Sequence, residues 1–244
     1  MNIIIKVKKN IYNSFSTLNT FERSLWAVSV IGVMFSFLIS QEQSYLVLFS
    51  SLIGVTSLIF LAKGNVLGNI ICIIFCLLYG YISYRNRLFG EMITYLFMTM
   101  PICIMSTISW LKNPFNDGKT DSNVSEVEIA DISKNALVKL LLTSVMVTWI
   151  FYYILDFFNT PFLIVSTLSI TTSFLAASLA ALRSPYYALI YALNDIVLIS
   201  IWTFSTMQNP ENLSMVICFA MFLLNDLYGY VNWLKIKKRQ TITK

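Results

Sequence analysis

The chain has 244 residues, of which 57% are hydrophobic and only 12% are charged, and its mean hydropathy is +0.71. A soluble domain carries about 25% charged residues, so this composition excludes a soluble globular protein. We therefore expect an integral membrane protein whose surroundings are the lipid bilayer.

Eight apolar segments are long enough to cross a membrane, since a transmembrane helix needs about 20 apolar residues. The fifth is the weakest, because Lys139 must extend its charge to the interface. The predicted fold is an all-α membrane protein of about eight transmembrane helices. The charged residues between the segments set their predicted bounds: Ser24 to Gln41, Gln43 to Ala62, Gly64 to Tyr84, Met92 to Leu111, Ala136 to Leu155, Phe157 to Leu182, Ser184 to Met207 and Asn212 to Leu234.

The basic residues predict the orientation, because cytoplasmic loops keep most lysines and arginines. With an even number of spans and both ends inside, fifteen of the seventeen basic residues are cytoplasmic, and only Arg85 and Arg87 are not. The net charge of +5 then reflects topology, and no nucleic-acid partner is expected. We predict a multi-pass protein of the inner (plasma) membrane with both termini cytoplasmic.

Two further expectations follow from this topology. The first segment is interpreted as an uncleaved signal anchor, because it is long and lacks a clear cleavage site. Four acidic residues are predicted to lie in outer loops: Glu42, Glu91, Asp156 and Glu211. Four tryptophans lie near the ends of spans, as interfacial anchors do: Trp26, Trp110, Trp202 and Trp233.

The tripeptide Trp-Leu-Lys closes the fourth and the eighth segments, with its tryptophans at positions 110 and 233. Each copy ends a set of three segments, which indicates two parallel three-helix repeats, as many transporters have. A rival register pairs Leu78-Tyr79-Gly80-Tyr81 with Leu227-Tyr228-Gly229-Tyr230. The predicted divisions are an N-terminal region with an extra helix (1–42), the first repeat (43–112), a flexible cytoplasmic linker with a connecting helix (113–158), the second repeat (159–235) and a basic cytoplasmic tail (236–244).

The sequence gives no support for cofactor chemistry. It has no histidine, no glycine-rich phosphate loop and no Cys-x-x-Cys pair, and all four cysteines lie inside predicted spans. Cys72 and Cys76 are one helical turn apart, and we interpret them as small packing residues rather than metal ligands. We expect no cofactor, no metal and no catalytic residue. A passive carrier or a channel remains, since no ATP-binding motif is present.

Polar and aromatic residues share one face of the seventh segment. Tyr187, Tyr191 and Asn194 are spaced i, i+4 and i+7, and Asn69 occupies the corresponding position of the third segment. Two facing amides beside aromatic rings suit a flat, polar ring compound, because the rings stack on its face and the amides bond to its edge. The alternative is that both asparagines only join helices by hydrogen bonds.

Two aspartates lie deep in predicted spans, where an ionisable group usually faces a cavity or a partner. Asp226 is in line with Phe219, Phe222 and Tyr230, and an acid with aromatic neighbours suits a cationic ring. Asp195 and Asp226 are equally compatible with substrate contact, with a neutral structural role and with carrying a proton.

Several short motifs follow one another in a distinctive order: Lys63-Gly64-Asn65, Tyr79-Gly80-Tyr81, Gly90-Glu91-Met92, Pro101, Trp110 and Gly229-Tyr230-x-x-Trp233 with basic residues after it. In these motifs the sequence resembles the PnuC family of nicotinamide riboside transporters over spans two to eight. This resemblance implies a fold related to the SWEET sugar transporters, a homotrimer, and facilitated diffusion of nicotinamide riboside or a close vitamin-like nucleoside that a cytoplasmic kinase then traps.

The resemblance also implies which residues touch the substrate. Tyr187 and Tyr191 match an aromatic pair that is usually tryptophan in the family, Phe219 stands where tyrosine is common, and Asp226 stands where a small residue is common. These departures keep open a carrier of thiamine or another nucleoside. Less favoured alternatives are an intramembrane enzyme that uses Asp195 and Asp226 as a carboxylate pair, and a membrane scaffold. The predicted substrate-binding residues are Asn69, Tyr187, Tyr191, Asn194, Phe222 and Asp226.

Overall fold

The computed structural model describes residues 14–39, 44–115 and 126–243, apart from the side chain of residue 211. Within these ranges it holds eight helices of membrane-spanning length and composition, which confirms the predicted all-α membrane fold. In chain order they are α1 (Thr20–Ile39), α2 (Tyr45–Ala62), α3 (Val66–Arg85), α4 (Phe89–Lys112), α5 (Lys134–Phe157), α6 (Leu163–Ala181), α7 (Tyr186–Gln208) and α8 (Leu213–Thr243).

Four of these helices begin at a polar residue that caps them, and at α1 the side-chain oxygen of Asn19 accepts from the backbone N–H of Glu22 at 2.9 Å. The side chains of Ser44, Asn65 and Ser133 accept hydrogen bonds from backbone N–H groups in the first turns of α2, α3 and α5. The first N–H groups of a helix have no partner within it, so a serine or asparagine just before an apolar run fixes where the helix starts.

Helix α4 contains a π-turn over Thr94–Thr99. Pro101 follows directly, and proline has no N–H to bond the carbonyl four residues earlier. Such an interruption widens the helical ladder, and turns of this kind are frequent at functional sites. Here Tyr95 and Thr99, both within the π-turn, face an internal cavity.

Helix α8 is central to the bundle, where it packs against α7, α2 and α1, while α4 packs against α3 and α6. The extra helix α1 is attached by polar contacts. The amide of Asn225 donates to the hydroxyl of Ser29 at 2.8 Å, and Glu22 accepts from Tyr228 at 2.8 Å and pairs with Lys63 at 2.9 Å. Helix α5 packs mainly against α6 and leaves most of its surface exposed.

Two tryptophans meet at one end of the bundle, which we call the tryptophan end, with ring centroids 5.3 Å apart. Trp110 of α4 donates its Nε1–H to the carbonyl of Ala180 at the end of α6, at 2.8 Å. Trp233 of α8 donates to the carbonyl of Leu61 at the end of α2, at 2.9 Å. The last carbonyls of a helix lack partners within it, so each tryptophan satisfies one of them.

The residue before each tryptophan does the same. Ser109 donates to the carbonyl of Ala181 at 2.9 Å, and Asn232 donates to that of Ala62 at 2.8 Å. The last helix of each predicted repeat therefore caps the first helix of the other.

The interpretation of the tryptophans as interfacial anchors is wrong for three of them. Trp110, Trp202 and Trp233 are at most 1% exposed, whereas an anchor has to reach the lipid head groups. Their N–H groups bond inside the protein, and that of Trp202 donates to the hydroxyl of Tyr79 at 2.8 Å.

The linker prediction is wrong for its second half, although residues 116–125 lie outside the described part. The N–H groups of Val127 and Ala130 donate to the carbonyls of Gly64 and Arg183 at 3.0 and 3.1 Å. Val127 is also buried. These bonds form because Gly64 and Arg183, at φ 65° and 59°, end the turns after α2 and α6 with carbonyls free to accept.

The basic tail is not separate from the eighth helix, because α8 continues to Thr243. Gln240 is buried and exchanges hydrogen bonds with the 126–129 segment, and Ile236 packs into the core. Arg239 and Lys237 form ion pairs with Glu126 and Asp131. Side-chain partners and the lack of a helix-breaking residue thus extend the helix beyond Leu234.

Candidate functional site

A small cavity of about 40 Å³ lies between the middle turns of the helices, at the centre of the bundle. Helices α2, α3, α4, α7 and α8 all contribute to it, so parts of both predicted repeats form its walls. Its lining residues are Gly54, Ser57, Leu58, Leu61, Cys72, Phe75, Tyr95, Thr99, Tyr191, Asn194, Asp195, Phe222 and Asp226.

Two carboxyl groups form one wall of the cavity. Asp195 of α7 and Asp226 of α8 are buried, and both line the cavity. One oxygen of Asp195 is buried without a hydrogen-bond partner. Two carboxylates close together in a buried place are costly unless a proton or a cation compensates their charge. The wall therefore offers a binding place for positive charge.

Aromatic rings form another part of the lining. Phe75 and Phe222 lie 5.3 Å apart between centroids, and Tyr95 and Tyr191 complete the aromatic lining. Gly54 makes room for them, because a Cβ there would lie 2.2 Å from the ring of Phe222. Ring faces beside carboxyl groups attract cations and flat aromatic ligands.

Two polar side chains remain for directional contacts. The carbonyl oxygen of Asn194 accepts from Thr172 at 2.7 Å and from Ser173 at 3.1 Å. These bonds orient the side chain and leave its NH₂ group for the cavity. The hydroxyl of Thr99 is buried without a hydrogen-bond partner, and because Thr99 lines the cavity, a ligand can satisfy it.

The structure brings together four of the six predicted site residues, namely Tyr191, Asn194, Phe222 and Asp226. Asn69 is buried with an unpaired side-chain nitrogen and is not part of the lining. Tyr187 lies one turn from the lining, where it contacts Tyr191 and Trp233 at centroid distances of 6.1 and 4.7 Å. Asn69 and Asn194 therefore do not line one cavity, although their positions in the two predicted repeats nearly correspond.

Aromatic clusters lie on both sides of the cavity along the bundle axis. Towards the tryptophan end, Tyr187 packs on Trp233, which packs on Trp110. On the other side, Tyr79 contacts Tyr95 at 4.3 Å and Phe219 at 5.5 Å, and all three are buried. The cavity thus lies between two layers of packed rings.

Several lining residues escaped the sequence analysis. Tyr95 and Thr99 belong to the π-turn, and the only sequence signal for it is Pro101. Gly54 and Ser57 lie on α2, where Ser50, Gly54 and Ser57 follow one another at i, i+4 and i+7 and are all buried, so a stripe of small and polar residues is the sequence signal that marks the inner face. Asp195 was considered separately and lines the cavity beside Asp226.

Glu91 does not lie in an outer loop as expected. It is 1% exposed and belongs to the first turn of α4. Glu42 and the side chain of Glu211 lie outside the described residues.

Eight membrane helices around a central polar and aromatic cavity define a multi-pass membrane protein with the architecture of a small-molecule carrier. The family model described as "Nicotinamide mononucleotide transporter" matches residues 44–235. The match begins after α1 and includes every residue of the cavity. The chain therefore belongs to the nicotinamide mononucleotide transporter family.

Individual relatives agree with this assignment. The chain is 24% identical over 219 residues to the nicotinamide riboside transporter PnuC of Neisseria mucosa, with 89% of this chain and 82% of the relative aligned. It is 23% identical over 219 residues to PnuC of Haemophilus influenzae, with 90% of this chain and 92% of the relative aligned.

A solved structure shares the fold. The crystal structure of the vitamin B3 transporter PnuC superimposes with a TM-score of 0.82 at 23% identity, over 96% of this chain and 97% of the other. The expected kinship with SWEET sugar transporters is not borne out by these relatives.

Proposed function

We propose that this protein carries nicotinamide riboside, or a closely similar cationic nucleoside, across the membrane. The observation that carries the proposal is the cavity in the middle of the helices, which a pair of carboxyl groups and several aromatic rings line together. Its relatives in Neisseria mucosa and Haemophilus influenzae are named as nicotinamide riboside transporters.

The chemistry of nicotinamide riboside fits these walls. Its pyridinium ring is flat and carries a positive charge, which Asp195 and Asp226 compensate. Phe222 and Tyr191 offer ring faces for stacking and for cation–π contact. The NH₂ group of Asn194 suits the carboxamide oxygen or a ribose hydroxyl. At about 40 Å³ the cavity is smaller than the about 300–1,000 Å³ that is typical of small-molecule sites, so the helices around it have to move apart when the substrate enters.

The proposed process is facilitated diffusion, not catalysis. The sequence has no nucleotide-binding motif to couple transport to ATP. The carboxyl pair accounts for the charge of the substrate. Transport in this scheme runs down the substrate gradient.

The orientation that we propose places both termini and residues 113–134 in the cytoplasm, with the protein in the plasma membrane. The count of basic residues supports it, and so does the position of Lys112 and Lys235, each two residues after a buried tryptophan. Reaction of cysteines introduced at positions 122 and 244 with an impermeant reagent outside intact cells would contradict it.

We also propose that residues 43–112 and 159–235 form two repeats with α5 between them, and that the protein is a homotrimer. The reciprocal caps at the tryptophan end support the repeats, since they follow the Trp-Leu-Lys register. The exposed apolar surface of α5 supports contact with lipid or with another copy. The mass of the protein in native membrane patches tests the trimer.

Uptake into proteoliposomes that contain only this protein tests the function. Labelled nicotinamide riboside should equilibrate without ATP and without an ion gradient. Unlabelled nicotinamide riboside should compete best, thiamine less, and a neutral nucleoside such as uridine least. Accumulation above the external concentration that an uncoupler abolishes would show a proton-driven carrier instead, and no uptake over empty liposomes would refute transport of this substrate.

A further inference from the structure

Three of the four cysteines meet beside the cavity. Cys72 and Cys76 lie one turn apart on α3, and Cys103 faces them from α4. Their three Sγ atoms all lie within 4.8 Å of one another, and those of Cys72 and Cys103 are 3.5 Å apart. We call these three residues the thiol cluster. The sequence suggested only the pair on α3, because Cys103 follows the π-turn, whose effect on register is not visible in the sequence.

The position of the thiol cluster makes it reachable from the cavity. Cys72 is half-buried and lines the cavity, whereas Cys76 and Cys103 are buried behind it. The fourth cysteine, Cys218 of α8, is buried and belongs neither to the cavity lining nor to the cluster. A small ion that enters the cavity therefore meets Cys72 first and the other two sulfurs directly behind it.

The geometry suits a metal ion with sulfur ligands. A metal–sulfur bond of about 2.3 Å places three sulfurs around one ion roughly 4.0 Å apart, which lies within the spacing of the thiol cluster. Thiolate ligands favour soft ions such as Cu(I), and oxygen-seeking ions such as Mg²⁺ and Ca²⁺ are excluded by the same rule. Three ligands from two helices also leave one side of the ion open towards the cavity, as in sites with an exchangeable position.

We propose that Cys72, Cys76 and Cys103 bind one thiophilic metal ion such as Cu(I), and that the bound ion blocks the carrier. Binding replaces thiol protons by metal–sulfur bonds, with the protons released to solvent. The ion links α3 to α4 and occupies the wall of the cavity at Cys72. Blocking rests on the proposed function, since it requires that the cavity is the transport path, but binding does not.

Packing alone gives a different expectation. Buried cysteines often serve as small apolar residues, and three of them at a contact between helices need no ligand. If the three cysteines only fill space, replacing one of them should change metal binding no more than replacing Cys218 does. Cys218 is therefore the matched control, because it is equally buried and lies on another helix.

Titration of the full-length protein in detergent with Cd²⁺ as the probe tests the site. The wild type and Cys218→Ser should each bind one Cd²⁺ and develop the ultraviolet sulfur-to-cadmium charge-transfer band. Cys103→Ser and Cys76→Ser should lose the band and bind at least tenfold more weakly, with elution volume and melting temperature checked for folding. Absence of a saturable band in the wild type, or the same band in Cys103→Ser, would overturn the site even if one variant misfolds.

A second arm separates the site from the transport claim. In proteoliposomes, Cd²⁺ should inhibit the uptake of nicotinamide riboside by the wild type and by Cys218→Ser. Inhibition of Cys103→Ser should need at least a tenfold higher Cd²⁺ concentration. Saturable Cd²⁺ binding without inhibition would overturn the blocking. Lack of uptake in every protein alongside intact Cd²⁺ binding would count against the proposed function, and the binding site would stand.

Discussion

The tryptophan end and the central cavity both contain buried polar groups, but these groups differ in whether they have hydrogen-bond partners. At the tryptophan end, Trp110 and Trp233 donate to helix-terminal carbonyls, and Ser109 and Asn232 do the same. In the cavity, the hydroxyl of Thr99 and one oxygen of Asp195 are buried without partners.

Because Thr99 and Asp195 line the cavity, a ligand can satisfy their free groups, whereas the groups at the tryptophan end already have partners within the fold. A buried polar atom without a partner costs about 1–3 kcal/mol, so satisfied groups stabilise the bundle while unsatisfied ones weaken it. Changes at the tryptophan end should therefore lower stability and leave affinity unchanged. Changes in the cavity should lower affinity with little loss of stability.

The largest effect should come from Asp226→Asn, which removes charge from the carboxyl pair. Loss of one partner of a buried charge contact costs about 2–5 kcal/mol, or roughly 30-fold to several thousand-fold in the affinity for nicotinamide riboside. The fold should not lose stability, because the change also relieves repulsion with Asp195. Calorimetric titration and thermal melting in detergent measure both quantities.

The matched ligand for this variant is the dihydro form of nicotinamide riboside, which has nearly the same size but no charge on its ring. Its affinity should change far less than that of the cation. An equal loss for both ligands would show that Asp226 acts on the shape of the cavity and not through its charge.

On the other side of the comparison, Gly68→Ala should destabilise the fold near the tryptophan end. A Cβ at Gly68 would lie 2.5 Å from the backbone nitrogen of Leu61, so α2 and α3 must separate. Overpacking of this kind costs about 1–3 kcal/mol, which thermal melting should detect as a fall of several degrees. Gly229→Ala is the control, because its Cβ meets Ala62 at an ordinary 3.4 Å. Equal melting temperatures for both variants would contradict the close approach.

A smaller effect is expected at Tyr191, whose ring lines the cavity. Tyr191→Ala removes the ring face, and a cation–π contact is worth about 0.5–2 kcal/mol, so affinity should fall roughly 2- to 30-fold. Tyr191→Phe keeps the ring and should cost less. Binding measured in detergent distinguishes them, and a larger loss in the phenylalanine variant would mean that the hydroxyl matters more than stacking.

Much of this fold follows from local sequence properties. The eight helices follow from apolar length between charges, and their starts follow from caps such as Asn65 before an apolar run. The carboxyl groups of the cavity can also be predicted locally, since Asp195 and Asp226 are isolated charges in otherwise apolar helices. Such features depend on short windows of the chain, and a single sequence displays them.

Other features depend on contacts between distant segments, which one sequence does not display. Trp110 looks like an interfacial anchor until the carbonyl of Ala180 is seen opposite it. Val127 looks like part of a linker until the turn at Gly64 offers it an acceptor. Asn69 and Asn194 occupy nearly corresponding positions of the two predicted repeats, yet only Asn194 lines the cavity, because the rotation of each helix is set by its neighbours.

Two asparagine substitutions test the central claim most directly, because Asn194 lines the cavity while Asn232 caps α2. Asn194→Ala should weaken binding of nicotinamide riboside by about 1–3 kcal/mol, or roughly 5- to 150-fold. Asn232→Ala leaves the carbonyl of Ala62 without this donor, so it should lower the melting temperature and leave the affinity of the folded protein within about twofold of the wild type. Affinity and melting temperature measured on the same samples decide the matter. Unchanged affinity in Asn194→Ala, or an equal loss in Asn232→Ala, would contradict the assignment of the cavity as the binding site.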